Sequence, residues 1–178
     1  MNRDFLSHDY FTDIITFDLR NEGEDKLFLI STTHGAETTG LAAMNATIKS
    51  FVNHNMIESN WQRGASLKSR LEQVVAKHEL KKALKWTGYP CLLALICKNA
   101  EGNTDDAFRT LMMQEMIARG VLFQGLFYTT WSHQQQELDH FVMAFDESCT
   151  VYKQAIKQGS ADQLLVGRPA KAVFRKKI

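Results

Sequence analysis

The residues best placed to do chemistry form one hydroxyl-rich segment in the first quarter of the chain. Ser31-Thr32-Thr33-His34-Gly35 follows the short apolar run Lys26–Ile30. These residue types predict a strand end, a turn that contains a glycine, and then the start of a helix. Unpaired backbone N–H groups and the positive end of a helix dipole favour an anion at such a place, and threonine hydroxyls add hydrogen-bond donors. The segment therefore suits a phosphate group, and the alternative is that its hydroxyls only cap the helix.

Two helices are predicted after this segment. In the first, five apolar residues fall on one face at helical spacing, namely Leu41, Met44, Ile48, Phe51 and Val52. A second helix is predicted from about residue 65 to residue 85, with a stripe formed by Leu67, Leu71, Val74, Val75 and His78. Gly88-Tyr89-Pro90 is expected to end that helix.

The second half of the chain alternates between strand and helix signals. Cys91–Cys97 is continuously apolar and predicts a buried strand. Thr104 is predicted to cap a helix that ends at Gly120, and β-branched and aromatic residues predict a strand over residues 121–130. Ser132 and Gln135 have the spacing of a capping box. The helix after them is expected to bury a stripe made of Leu138, Phe141, Val142, Phe145, Cys149, Tyr152 and Ile156. This order predicts a mixed α/β fold, with a small sheet covered by helices.

The composition excludes several classes of protein. Hydrophobic residues make up 44% of the chain and charged residues 23%, as in an ordinary globular protein. A net charge of +1 gives no electrostatic case for binding nucleic acid or an anionic membrane. No apolar run approaches the roughly 20 residues that cross a bilayer, and the first residues lack the apolar core of a signal peptide. We therefore expect a cytoplasmic protein with no nucleic-acid or membrane partner.

The cysteines and histidines do not predict a metal site. Cys91, Cys97 and Cys149 are odd in number and scattered, and two of them have apolar neighbours. Buried free thiols in a reducing compartment are therefore expected rather than disulfides. His54, His78 and His140 show no ligand spacing with cysteines or carboxylates, so zinc is not expected.

The hydroxyl-rich segment belongs to a longer run that resembles a known enzyme family. Phe28–Met44 (FLISTTHGAETTGLAAM) is similar to a stretch of the class III aminotransferases, which depend on pyridoxal 5'-phosphate (PLP). There, a threonine, a short turn with glycine and an alanine-rich helix follow the segment of the catalytic lysine. The Thr-Thr-His-Gly-x-Glu version resembles the glutamate-1-semialdehyde 2,1-aminomutase-like branch. Ala36-Glu37-Thr38 departs from the Gly-Asn-Pro that many members have.

The resemblance extends from about residue 27 to residue 178. Gly88-Tyr89-Pro90 resembles the entry to the family's small C-terminal domain, and Phe108–Gly120 resembles a helix of that domain. Ser132-His133 is similar to the start of the family's late helix. Leu164–Pro169 and Val173-Phe174-Arg175 resemble the ending of the aminomutase-like branch.

This resemblance implies the C-terminal portion of a PLP-dependent transferase of fold type I. Residues 1–62 would be a remnant of the large PLP-binding domain, and residues 63–178 the small C-terminal α/β domain. In the family, a threonine reaches across the dimer interface and holds the phosphate of the PLP bound to the neighbouring subunit. Thr33 matches by its place before the turn and Thr32 is its neighbour, so these two are the candidate cofactor-binding residues.

The implied reaction acts on a small amino acid or amino aldehyde, and its catalytic residues lie upstream of the matched region. It needs a lysine that forms a Schiff base with PLP and an aspartate that pairs with the pyridinium nitrogen. The lysines here lie in polar surroundings that indicate solvated positions: Lys26, Lys49, Lys68, Lys77, Lys81, Lys82, Lys85, Lys171, Lys176 and Lys177. We therefore assign no catalytic residue and no metal ligand, and expect the chain alone to be inactive.

The implied partner is a second copy in a homodimer or a complementing N-terminal chain. An alternative from another functional class is a non-catalytic α/β interaction module that keeps the aminotransferase small-domain fold. An upstream reading frame that encodes the lysine-bearing half would favour the enzyme over the module.

Overall fold

A computed structural model describes residues 38–170 of the chain. The chain is divided between Met56 and Ile57 into two compact units. The first unit contributes one described helix, α1 (Thr38–Asn53), where apolar spacing predicts it. The strand predicted at Lys26–Ile30 and the hydroxyl-rich turn lie outside the described residues. The described part is mixed α/β, with four helices and a small antiparallel sheet of three strands.

The second helix, α2 (Met56–Lys77), both begins and ends earlier than predicted. Four residues of the predicted stripe are confirmed as buried on this helix, namely Leu67, Leu71, Val74 and Val75. The fifth, His78, lies just beyond the helix and is half-buried. The helix stops because Glu79 adopts a left-handed φ of 62°. The N–H of Leu80 donates to the carbonyl of Val75 at 2.9 Å and the N–H of Glu79 to that of Ala76 at 3.0 Å. This Schellman pattern satisfies the last carbonyls, and Leu80 is buried beyond it.

The residues that were predicted to extend this helix instead lead into a strand, β1 (Leu84–Tyr89). It pairs antiparallel with β2 (Leu92–Cys97), the strand predicted from its apolar run. Gly88-Tyr89-Pro90 therefore ends a strand and not a helix. Gly88 has a φ of 91°, and an added Cβ would lie 2.3 Å from the carbonyl oxygen of Leu92. Only glycine fits at this point of the hairpin.

The strand predicted over residues 121–130 is much shorter in the structure. Only β3 (Leu126–Tyr128) pairs, antiparallel to β2, and the strand order is β1-β2-β3. Gly125 has a φ of 92°, outside the extended region, and marks the start of the pairing. Beyond the strand, the N–H of Thr129 donates to the carbonyl of Cys91 at 3.1 Å.

The third helix, α3 (Asp106–Ala118), is confirmed, but the cap predicted at Thr104 is wrong. Asp105 caps the helix, since its Oδ1 accepts from the N–H groups of Ala107 at 2.8 Å and Phe108 at 3.1 Å. Thr104 instead forms an isolated bridge with Lys98. At the other end, Gly120 adopts the predicted left-handed conformation, with a φ of 81°.

The last long helix, α4 (Gln135–Gln158), begins with a capping box two residues later than predicted. Oε2 of Glu137 accepts from the N–H of Gln134 at 2.9 Å. The box predicted at Ser132 and Gln135 is therefore wrong. The buried stripe is confirmed, with Val142 and Ile156 half-buried against the rest of it. Gly159 ends the helix with a φ of 71°.

One face of the sheet packs against the helices, and we call it the inner face. Trp86, Leu93 and Leu95 lie on it and join a single core with the buried residues of α2, α3 and α4. The Trp86 ring lies 5.3 Å from that of Phe145 in an edge-on arrangement. The residues of opposite parity form what we call the outer sheet face: Lys85, Thr87, Tyr89, Leu92, Ala94, Ile96, Leu126 and Tyr128.

Ion pairs join α2 to α4 along their length. Arg70 pairs with Asp139 at 2.6 Å, and one heptad later Lys77 pairs with Asp146 at 2.7 Å. Because both partners advance together along the sequence, the two helices run parallel. Within residues 38–170, no helix is long and apolar enough to span a membrane.

Candidate functional site

The two candidate cofactor residues, Thr32 and Thr33, lie outside the described residues, as does His34. The first described helix, α1, begins at Thr38, three residues after Gly35 in the sequence. The first turn of α1 contains no acidic side chain, although Glu37 immediately precedes it. A helix start without a carboxylate in its first turn is compatible with an anion such as a phosphate.

The exposed surface of α1 is rich in small and apolar side chains. Ala42, Ala43 and Ala46 are exposed, Val52 is 61% exposed and Phe51 39%. Small residues allow close approach by another element, and large apolar residues are normally covered. Helix α1, which follows the hydroxyl-rich segment in the sequence, therefore offers a packing surface.

All lysines of the described residues are at least partly exposed, as the sequence predicts. Lys77 pairs with Asp146 and Lys153 with Glu79, at 2.7 and 2.6 Å. Lys81 and Lys82 lie in the turn after α2, and Lys85 lies in β1, so the prediction that these three lie on a helix is wrong. A Schiff-base lysine needs an enclosed site that lowers its pKa, and none of these positions is enclosed.

The cysteines behave as the sequence predicts. Cys97 and Cys149 are buried free thiols and Cys91 is a half-buried one. Burial raises the pKa of Cys97 to about 12 and also raises the pKa of Cys149. Both buried thiols therefore stay protonated at neutral pH and are poor nucleophiles. The described part of the chain contains no group of three or more potential metal ligands.

The segment before α4 is held by Arg63, a residue that no sequence motif singles out. Nη1 of Arg63 donates to the carbonyls of Trp131 and His133, each at 3.0 Å. Its guanidinium group also lies 4.9 Å from the centre of the Trp131 ring. His133 is therefore fixed in the loop before the helix, where its Nδ1 accepts from the N–H of Thr130 at 3.2 Å.

A close backbone contact joins α2 to the β1–β2 turn. A Cβ added to Gly64 would lie 1.7 Å from the carbonyl oxygen of Pro90 and 2.9 Å from Oγ1 of Thr129. That hydroxyl donates to the same carbonyl at 3.0 Å. The backbone of α2 therefore touches the turn directly. Gly64 is required for this contact, which positions the helix over the end of the sheet.

One cleft of the described residues lies between residues 120–128 and the first turns of α4. It is open, has a volume of about 580 Å³, and contains the rings of Phe123, Phe127 and Phe141. Tyr128, His133, Glu137 and His140 are its titratable side chains. Glu137 caps its own helix. His133 accepts a hydrogen bond from the N–H of Thr130, and the centre of its ring lies 5.0 Å from that of the tilted Phe127 ring. Glu137 and His133 therefore serve the local structure and do not form a nucleophile–base pair with each other.

Comparison with known proteins gives no family assignment. No protein-family model matches the chain, and no curated protein matches it significantly.

Proposed function

We propose that this chain is the C-terminal portion of a class III PLP-dependent aminotransferase or aminomutase. It would belong to fold type I and resemble the glutamate-1-semialdehyde 2,1-aminomutase-like branch. The substrate would be a small amino acid or amino aldehyde. The observation that carries the proposal is the run Phe28–Met44, in which the hydroxyl-rich segment Ser31–Gly35 precedes a helix that begins at Thr38. The small antiparallel sheet with helices on its inner face supports it, because the family's small domain is expected to have that architecture.

PLP would supply the electron sink for the reaction, and this chain would help to hold it. The hydroxyl of Thr33 and the adjacent backbone N–H would bind the phosphate of PLP held mainly by the other subunit. Thr32 would contribute less, because it lies one residue further from the helix start. The dipole of α1 would add to the attraction for the phosphate.

The catalytic lysine would come from a second polypeptide segment. This follows from the lysines of the described residues, which are exposed or half-buried on helices, turns and a strand edge. The working assembly would therefore combine this chain with a lysine-bearing large domain. It would be a homodimer of the complete enzyme or a complex with a complementing N-terminal chain.

Reconstitution tests this function. The full 178-residue chain is mixed with the separately expressed large domain of a full-length class III aminotransferase, cut before its own threonine turn. We expect the dissociation constant of PLP, measured by absorbance titration, to fall at least tenfold when the chain is added. The matched control is an unrelated protein at the same concentration.

The outcome separates the two functional classes. Tighter PLP binding supports the enzyme. A chain that binds the large domain and leaves its PLP affinity unchanged contradicts the proposed phosphate contact and favours the non-catalytic interaction module.

A further inference from the structure

Strand β3 lies at the edge of the sheet, and its free side presents backbone groups that β2 does not bind. The N–H of Thr129 donates to the carbonyl of Cys91 at 3.1 Å, which fixes the residues of β3 that face β2. Because bonded positions alternate along an antiparallel strand, Leu126 and Tyr128 direct their N–H and C=O groups away from β2. Within residues 38–170, no other strand pairs with this edge.

The two edges of the sheet differ in their protection against pairing with another chain. Natural edge strands are usually protected by lysine, by proline or by a bulge. Strand β1 contains Lys85 and follows Lys81 and Lys82. Around β3, by contrast, residues 120–136 contain no aspartate, glutamate, lysine, arginine or proline. The edge at β3 is therefore the one that is open to another strand.

The side chains along this edge are apolar and exposed. Leu126 is 47% exposed and Tyr128 59%, and Leu122, shortly before the strand, is 85% exposed. Strand addition at a sheet edge uses main-chain hydrogen bonds for affinity and the alternate side chains for specificity. The edge at β3 offers both.

The charge pattern points to a second copy of this chain as the occupant. In a two-fold contact each surface meets itself, so a charge close to the axis would face a like charge. An acidic or basic partner of another kind would instead be matched by opposite charges on this chain. The uncharged residues 120–136 fit the first case and not the second.

We propose that two copies of the chain pair through the open edges of their β3 strands, antiparallel about a two-fold axis at Phe127. In this register, Leu126 of each copy lies opposite Tyr128 of the other, and their outward N–H and C=O groups bond to each other. Two three-stranded sheets thus become one continuous sheet. The exposed side chains of Leu126 and Tyr128 cover each other across the axis on the outer sheet face. The pairing does not depend on the proposed function.

The test is the self-association of the full chain, measured by sedimentation equilibrium over a range of concentrations. The double variant Leu126→Lys/Tyr128→Lys places lysine opposite lysine across the axis, whereas Leu126→Lys/Tyr128→Glu places lysine opposite glutamate. Tyr89→Lys is the matched control, because Tyr89 is 69% exposed on the same face of the opposite edge strand. Tyr89 and Tyr128 both pair with Leu92, so they stand in one row across the sheet.

We expect the parent chain to form a reversible dimer. The Lys/Lys variant should raise the dissociation constant of the dimer by about tenfold or more, because like charges replace apolar contacts at directly opposite positions. The Lys/Glu variant should dimerise about fivefold or more tightly than the Lys/Lys variant, because its opposite positions attract. Tyr89→Lys should change the dissociation constant by less than about threefold, since it lies two strands from the axis.

Hydrogen exchange of the parent chain keeps the test valid where a charged variant does not fold. The amides of Leu126 and Tyr128 should be protected at concentrations where the dimer dominates and should exchange faster on dilution. The amide of Phe127 faces β2, so it should stay protected at both concentrations and serves as the internal control.

Four outcomes would overturn the pairing. A parent chain that is monomeric at every concentration rejects it, and amides of Leu126 and Tyr128 that stay protected in that monomer assign the edge to a segment of the same chain. A Lys/Lys variant that dimerises as tightly as the parent places the contact on another surface. Equal weakening by Tyr89→Lys shows that sheet faces stack instead of edges pairing. A Lys/Glu variant no tighter than Lys/Lys rejects the two-fold register.

Discussion

At the scale of single residues, the centre of the core is an aromatic cluster around Trp86. Its ring lies 6.0 Å from Phe123, 6.3 Å from Phe141 and 5.3 Å from Phe145. Phe145 is fully buried on α4, whereas Trp86 lies on β1. The contact therefore joins the longest helix to the edge of the sheet, and the stability of the unit depends on it.

Replacement of Phe145 by alanine should destabilise the chain by about 3–5 kcal/mol, because it leaves a cavity beside Trp86. The measurement is the free energy of unfolding in urea. The matched control is Met143→Ala on the exposed side of the same helix, which should cost much less. A loss below about 1 kcal/mol for Phe145→Ala would contradict the position of this face in the core.

Gly64 allows α2 to touch the β1–β2 turn, and Gly64→Ala tests that contact. The added Cβ would lie 1.7 Å from the carbonyl oxygen of Pro90, and a backbone atom cannot move aside easily. We expect a loss of about 1–3 kcal/mol in the free energy of unfolding despite alanine's better helix propensity. Gly167→Ala, which has open space around it, is the control. A stabilised Gly64→Ala variant would show that helix and turn are further apart.

The hydrogen bonds of Asp146 predict that the stability of the chain depends on pH. Its carboxylate accepts hydrogen bonds from Lys77 and His78, each at 2.7 Å. The bond from Lys77 is the largest cause of the lowered pKa of Asp146, and the bond from His78 adds to it. Because the folded-state pKa is depressed, the stabilisation is complete above the unfolded-state pKa of about 3.9. It is lost as the pH falls through the folded-state pKa.

Asp146→Asn should therefore lower the free energy of unfolding by about 1 kcal/mol at pH 7 and by progressively less below about pH 4. Urea unfolding of both proteins between pH 7 and pH 3 measures the difference. Glu72→Gln, on the exposed side of α2, is the control. A difference that stays constant or grows below about pH 4 would contradict the ion pair.

At the scale of elements, apolar spacing predicted the helices well but misplaced their ends. The stripe of α2 could be predicted because Leu67, Leu71, Val74 and Val75 repeat at helical spacing. Its end could not, because the left-handed turn is made by Glu79, a residue that rarely adopts it, and not by glycine. The predicted helix was therefore extended to about residue 85, into the start of β1.

The caps of α3 and α4 show why local motifs mislead about helix starts. Thr104 and Asp105 are adjacent residues that can both cap a helix, and only the bridge from Thr104 to Lys98 decides between them. Ser132 has the spacing for a capping box, but Arg63 holds the carbonyls on both sides of it in the loop. That arginine lies far away in sequence, so local spacing could not predict its effect.

At the scale of the whole molecule, the sequence could predict the α/β class and the small sheet covered by helices. Apolar runs such as Leu92–Cys97 and the stripe of α4 are strong local signals of burial. The outer sheet face was not predicted, since it depends on β1, which was missed. The candidate phosphate residues Thr32 and Thr33 rest on resemblance and remain a prediction.

Because the catalytic lysine is proposed to lie in another segment, we predict that the chain alone will not hold PLP covalently. The purified chain is treated with PLP, reduced with borohydride and analysed by peptide mapping. We expect only low, scattered modification, because the described lysines are exposed or half-buried and none is enclosed. Stoichiometric modification of one lysine would contradict the assignment of the catalytic lysine to another segment.

We propose that this chain contributes a phosphate contact to a PLP enzyme. Titration of Thr33→Val with PLP in the reconstituted assembly tests this contact. A hydrogen bond to a charged group contributes about 1.5–3 kcal/mol, so PLP binding should weaken by about tenfold to a hundredfold. Thr32→Val is the matched control and should weaken it less, while both variants keep the stability of the parent chain. Equal PLP affinity for Thr33→Val and the parent chain would contradict the claim and leave the turn as a helix cap.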